Sequence, residues 1–311
     1  MNEELVIFGQ ADSLVGILTT GDAEQPPAVG CLLPNVGLAH RIGPHRLTVK
    51  VARSLSSLGV ASLRFDLSGI GDSPTTKSAD LIQQAMTDMR SAMDCMHQRL
   101  GINRFVVFGI CSGAQNGYFL SLQDERIVGV LMYDGFEFPS ISSKLVHQID
   151  RARATPWRRI VAKVRQRLLG QGQTTKAPLD IFSTALIEMH PTPAQFALGL
   201  EKLVARGVSV YSVFSGSRRA HDFGRGLYGA LGRAAFMRGI TYRFDADLDH
   251  TATSLVSQRR LLGMIGAWAA AVVAADGPQV GTSSSERGVR AAWPSLAAVA
   301  RPHQRQATPD P

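Results

Sequence analysis

Short apolar runs, punctuated by glycine, proline and aspartate, alternate along this chain with longer stretches whose apolar residues recur every three or four positions. The runs Glu4–Phe8, Leu14–Thr20, Ala28–Leu33 and Val60–Asp66 read as strands. Between the last two, Pro44–Leu58 reads as a helix, with Leu47, Val51, Leu55 and Leu58 on one face and Gly59 as its stop. Ser78–Leu100 is a longer helix whose stripe includes Met86, Met89, Met93 and Met96, closed by Gly101. A strand beginning at Phe105, a second helix and the strand Val128–Tyr133 follow. After an interruption the alternation returns: helix Pro193–Arg206, strand Val208–Phe214, helix Gly224–Met237, strand Ile240–Phe244 and helix Gln258–Ala275. Such alternation predicts an α/β protein with a largely parallel sheet, covered on both faces and joined by right-handed crossovers.

Two segments break the pattern. Residues 137–193 lean towards helix without strands, and read as a cap inserted into a core made of 1–136 and 194–275. Between Lys144 and Lys176 this segment holds nine Lys or Arg and one acid, Asp150. Either it is a solvated helical face, or it docks an anionic group such as a CoA phosphate or an acidic carrier protein, with Arg158, Arg159 and Lys163 as contacts. Nucleic acid fits less well, because Trp157 is the only aromatic in that run. Residues 276–311 turn to Gly, Ser, Pro and Arg, the composition of a disordered tail.

Composition narrows the class. The chain has 311 residues, 45% hydrophobic and 19% charged, with a formal net charge of +8, enough for one large domain with an insertion. Met-Asn-Glu-Glu-Leu at the start is not a secretory signal, and the apolar run Leu261–Ala275 is shorter than a membrane span. Cys31, Cys95 and Cys111 have no metal-like spacing, so neither a zinc site nor disulfides are expected, and the cytoplasm is the expected compartment.

One stretch carries chemistry. Phe105–Phe108 runs into Gly109-Ile-Cys-Ser-Gly113 and then a helix-compatible segment, the strand–turn–helix setting of a nucleophile elbow with cysteine at its apex. The positions two before and two after such a nucleophile must be nearly free of side chains, and both are glycine around Cys111. The helix that follows favours a thiolate there. A base is needed, and His250, in Asp245-Ala-Asp-Leu-Asp-His-Thr after the last strand, has the position expected of one. The carboxylate that orients it usually follows the penultimate strand, where Asp222 is the only acid of the loop from Ser215. Asp134, ending the strand after the elbow helix, is the alternative; Asp249 is too near His250 in sequence to orient it. Amides of Ser112 and Val36, the latter in Leu33-Pro-Asn-Val-Gly37, would form an oxyanion hole. Asp66-Leu-Ser-Gly-Ile-Gly-Asp-Ser73 is a poor dinucleotide loop, since Pro74 stands where a third glycine belongs.

In order, the Leu33–Gly37 loop, Asp66-x-x-Gly69-x-Gly71-x-Ser73, the Cys111 elbow and Asp249-His250-Thr251 resemble the α/β-hydrolase superfamily from Ala28 to Ala275. His40-Arg-Ile-Gly-Pro44 and Asp249-His250 are similar to a bacterial subgroup of serine-aminopeptidase-like and exosortase-associated hydrolases. The resemblance implies a nucleophile at Cys111, a base at His250, oxyanion amides at Val36 and Ser112, an acid at Asp222 and no cofactor. Members with cysteine at this position include dienelactone hydrolases, polyester synthases and some acyltransferases. The expectation is acyl transfer or thioester hydrolysis through acyl-Cys111, possible roles in a biosynthetic pathway included. A carboxylester or lactone hydrolase, or a non-catalytic ligand-binding member of the fold, are the competing expectations.

Overall fold

The computed structural model describes residues 1–22, 27–76, 80–136, 138, 190–218, 231 and 234–276. Its strands are β1 Asn2–Phe8, β2 Leu14–Thr20, β3 Gly30–Leu33, β4 Ala61–Phe65, β5 Phe105–Ile110, β6 Ile127–Tyr133, β7 Ser209–Ser215 and β8 Ile240–Asp245. They form one eight-stranded sheet in the order β1-β2-β4-β3-β5-β6-β7-β8. β1 and β2 pair antiparallel with each other, as β2 does with β4, and every later pairing is parallel.

The helices are α1 Leu47–Ser56, α2 Leu81–Leu100, α3 Ser112–Gln123, α4 Pro193–Ala205 and α5 Leu255–Asp276. They divide the core in two. Phe105 and Val107 of β5 point into a cluster with Met86, Met89 and Met93 of α2, Tyr118 of α3 and Phe196 of α4. Val106, Phe108 and Ile110 point the other way, against Leu47 and Val51 of α1 and Leu261 and Trp268 of α5. This alternation along a strand buried on both faces is why β3, β4 and β5 read as continuous apolar runs rather than as patterned ones.

Three helix starts differ from expectation. Pro44–Arg46 is a 3₁₀ turn with His45 and Arg46 at φ of 50° and 59°, so α1 starts at Leu47. α2 starts at Leu81, where the Asp80 carboxylate accepts from the amides of Ile82 and Gln83 at 3.0 Å. α5 begins three residues before the predicted Gln258, because Ser254 Oγ caps it by accepting from Ser257 N at 3.0 Å. The apolar stripe could not show this, since Leu255 and Val256 are exposed.

Of the predicted helix Gly224–Met237, the C-terminal end is a 3₁₀ turn, Ala235–Gly239, and most of the rest lies outside the described residues. So do Asp222, nearly all of 137–193 with Arg158, Arg159 and Lys163, and 277–311. Among the described residues no helix is long and apolar enough to cross a membrane.

Candidate active site

β5 runs straight into α3 with Cys111 between them, at φ 53° and ψ −117°. That conformation is unfavourable for a residue with a side chain, and it holds because both flanks are fixed. Cys111 N donates to Tyr133 O of β6 at 2.9 Å, and Cys111 O accepts from Ala114 N at 3.1 Å as α3 begins. The two glycines are needed for packing. A Cβ on Gly109 would lie 2.2 Å from the carbonyl carbon of Gly113, and one on Gly113 would lie 2.7 Å from Asn35 O. The second distance shows that the elbow is closed by the β3 loop as well as by its own turn.

That loop is fastened from both sides. Asn35, 1% exposed, accepts from Leu67 N at 2.7 Å and donates to Ala39 O and Asp66 Oδ1, each at 2.8 Å. Gly37 N donates to Ser112 Oγ at 2.8 Å. Val36 lies between these anchors, and it packs with Cys111 against the same side of the core. Ser112 is the first residue of α3, so its amide belongs to the unsatisfied end of a helix.

His250 lies after β8, on a loop organised by its neighbour. The Asp249 carboxylate accepts from the amides and hydroxyls of Thr251 and Thr253. Tyr133 Oη donates to Asp249 O at 2.5 Å, and His250 N donates to Ser217 Oγ at 3.1 Å. Asp249 therefore shapes the loop and leaves the imidazole to another acid.

The carboxylate that meets the imidazole is that of Asp134. Its Oδ2 lies 2.8 Å from His250 Nδ1, and the carboxylate is fully buried. Asp134 directly follows β6 at φ 50°, with its amide donating to Val213 O at 2.9 Å. Ser215, at the end of β7, completes the cradle, donating its amide to Oδ1 at 2.8 Å and its hydroxyl to Oδ2 at 2.6 Å. Among the described residues the carboxylate facing His250 is thus Asp134 after β6, the alternative offered by the sequence, while Asp222 lies outside them. The hydrogen bond to Asp134, and next the one to Cys111, push the imidazole up to about 9 despite its partial burial. With Asp134 at Nδ1, the Nε2 edge is the one left for the thiol. Cys31, by contrast, is fully buried in β3, and desolvation pushes its thiol up to about 12.

A second polar cluster stands beside the β3 loop. The buried carboxylate of Asp66 accepts from Arg41 N at 2.7 Å, from Asp72 N at 3.2 Å and from Arg41 Nη1, which also reaches Asp72 Oδ2 at 2.7 Å. His40, Asp66 and Asp72 have donor atoms close enough to share a metal ion. Arg41 already supplies the positive charge between the two carboxylates, so this cluster is a brace for the Asn35 loop. His40-Arg41 and the Asp66–Ser73 loop, two motifs that looked separate in the sequence, are its two halves.

No protein-family model matches the chain, and no curated protein matches it in sequence. Solved structures do match. An esterase domain from a Rhodothermus marinus protein is 14% identical, with a TM-score of 0.53, covering 88% of this chain and all of that one. Proline iminopeptidase from Mycobacterium smegmatis is 16% identical, with a TM-score of 0.52, covering 88% of this chain and 99% of that one. The thioesterase domain from the curacin biosynthetic pathway is 18% identical, with a TM-score of 0.50, covering 85% of this chain and 99% of that one. With these likenesses over most of the chain and its mostly parallel eight-stranded sheet, the chain has the α/β-hydrolase fold.

Proposed function

We propose that the chain is a Cys-His-Asp enzyme that moves an acyl group from an ester or thioester through an acyl-Cys111 intermediate. The observation that carries this reading is the 2.8 Å bond between His250 and the buried Asp134, on an imidazole that also bonds Cys111. Esterase and thioesterase neighbours of the same fold support ester and thioester chemistry.

The steps follow from the charges. Asp134 holds His250 as an imidazolium, which favours the thiolate of Cys111. The thiolate sulfur attacks the acyl carbonyl carbon, and the amides of Val36 and Ser112 receive the developing oxyanion. As the bond to the leaving oxygen or sulfur breaks, His250 gives that atom its proton. Neutral His250 then takes a proton from the incoming water, alcohol or amine, which attacks the thioester carbon. The sulfur–carbon bond breaks, and the thiolate–imidazolium pair is restored.

Thioester donors suit this site, since exchange between two sulfurs is nearly balanced in free energy. The resulting thioester reacts with amines more readily than an oxygen ester does, which favours transfer over plain hydrolysis. In the fuller reading the donor is a CoA or carrier-protein thioester met by Arg158, Arg159 and Lys163.

The test is intact-protein mass spectrometry after mixing with a panel of acyl thioesters and esters, beside Cys111→Ala. The expected result is an acyl adduct on the wild-type chain alone, discharged by an amine or alcohol. Discharge in water alone makes the enzyme a hydrolase. No adduct and no donor consumption across the panel overturns the reading.

A further inference from the structure

A cavity of about 240 Å³ opens beside the elbow, between the β3 loop, the chain after β4 and the first turns of α2. Gly37 and Ser112 line one end, so it begins next to both proposed oxyanion amides. Leu67, Ile70, Leu81 and Ala85 give it apolar walls.

Polar side chains also line it, Asp88 and Asn116 among them. Asp88 lies in the middle of α2 and is 3% exposed. Its Oδ1 accepts from Gln84 Nε2 at 2.8 Å and from Ser68 Oγ at 3.1 Å, and its Oδ2 accepts from Ser68 N at 2.8 Å. A carboxylate has about four acceptor positions, so Oδ2 keeps one. Asp88 makes no ion pair among the described residues, and no Lys, Arg or His is among those lining the cavity. Asn116 of α3, 6% exposed, also lines the cavity, and its carboxamide has no hydrogen-bond partner among the described residues. Buried polar groups of this kind are stabilised by a partner, and a carboxylate can only accept.

We propose that this cavity receives the acyl chain of the substrate and that Asp88, helped by Asn116, recognises a protonated amine carried on that chain. The inference rests on the acyl-transfer reading for the identity of the chain as an acyl group. Asp88 supplies charge and the open acceptor position, Asn116 a carboxamide oxygen, and the apolar walls hold the methylenes between amine and carbonyl.

The test is calorimetric binding to Cys111→Ala protein of two probes of matched shape, 5-aminopentanamide and hexanamide, with 5-hydroxypentanamide as a neutral donor. A charged hydrogen bond predicts that the amine binds about ten-fold or more tightly than either neutral probe. Asp88→Asn should erase that preference. Equal binding of the amine and hexanamide by Cys111→Ala protein overturns the proposal, whether or not the Asp88 variant folds. So does an unchanged preference in a folded Asp88→Asn protein. Binding is read without turnover, so failure of the amine preference and failure of acyl transfer are seen separately.

Discussion

Asp66 and Asp134 are built alike and do different things. Each is a fully buried carboxylate immediately after a parallel strand, and each accepts several hydrogen bonds from loops distant in sequence. Asp66 faces a permanent cation, Arg41, with Asn35 beside it. Asp134 faces an imidazole that can release its proton. A fixed charge opposite a buried carboxylate makes a brace, whereas a titratable one makes a proton relay.

The largest effect should separate the two. Asp134→Asn keeps the shape of the Ser215 cradle but removes the charge that orients His250, so turnover of an acyl thioester should fall about 10⁴-fold. A variant that keeps wild-type turnover would remove Asp134 from the chemistry. Asp66→Asn should act mainly on stability, since it strips the buried partner from Arg41. Thermal or urea unfolding should show a loss of about 3 kcal/mol. Unfolding free energy unchanged by this substitution would mean that Asp72 alone holds Arg41.

The smallest effect is a pH dependence belonging to one aspartate only. His250, raised to about 9 from its ordinary 6.5, binds its proton more tightly in the folded chain. Its contribution to stability is fully present below about 6.5 and is lost as pH rises through about 9. Unfolding measured across that range should show this slope in the wild type and in Asp66→Asn, and a flatter one in Asp134→Asn. The same slope in all three would assign it to another group.

The strand–turn–helix elbow at Cys111 was legible because its requirements are local. Two glycines flanking Cys111 after an apolar run describe a turn that few other sequences can make. His250 was legible from its place after the last strand. Its carboxylate was legible only as one of two choices, Asp222 and Asp134, because Asp134 lies 116 residues away and becomes a neighbour through the adjacency of β6, β7 and β8. A signal did exist: Asp134 ends a wholly apolar strand, and Ser215 ends the next one with both of its donors available. Asp66 was read as part of a motif, and its bond to Arg41 was beyond reach because periodicity says nothing about how loops fold onto one another.

If Asp134, just after β6, is the acid proposed above, the chain has room to diverge elsewhere. Cys111 and Asp134 both sit at the ends of core strands, and their spacing is inherited with the sheet itself. The stretch between Ser217 and Ala234 is then released from supplying a carboxylate, and its length and composition can drift while the relay persists. Randomising that stretch in a library should therefore leave acyl-thioester turnover in place in most folded members.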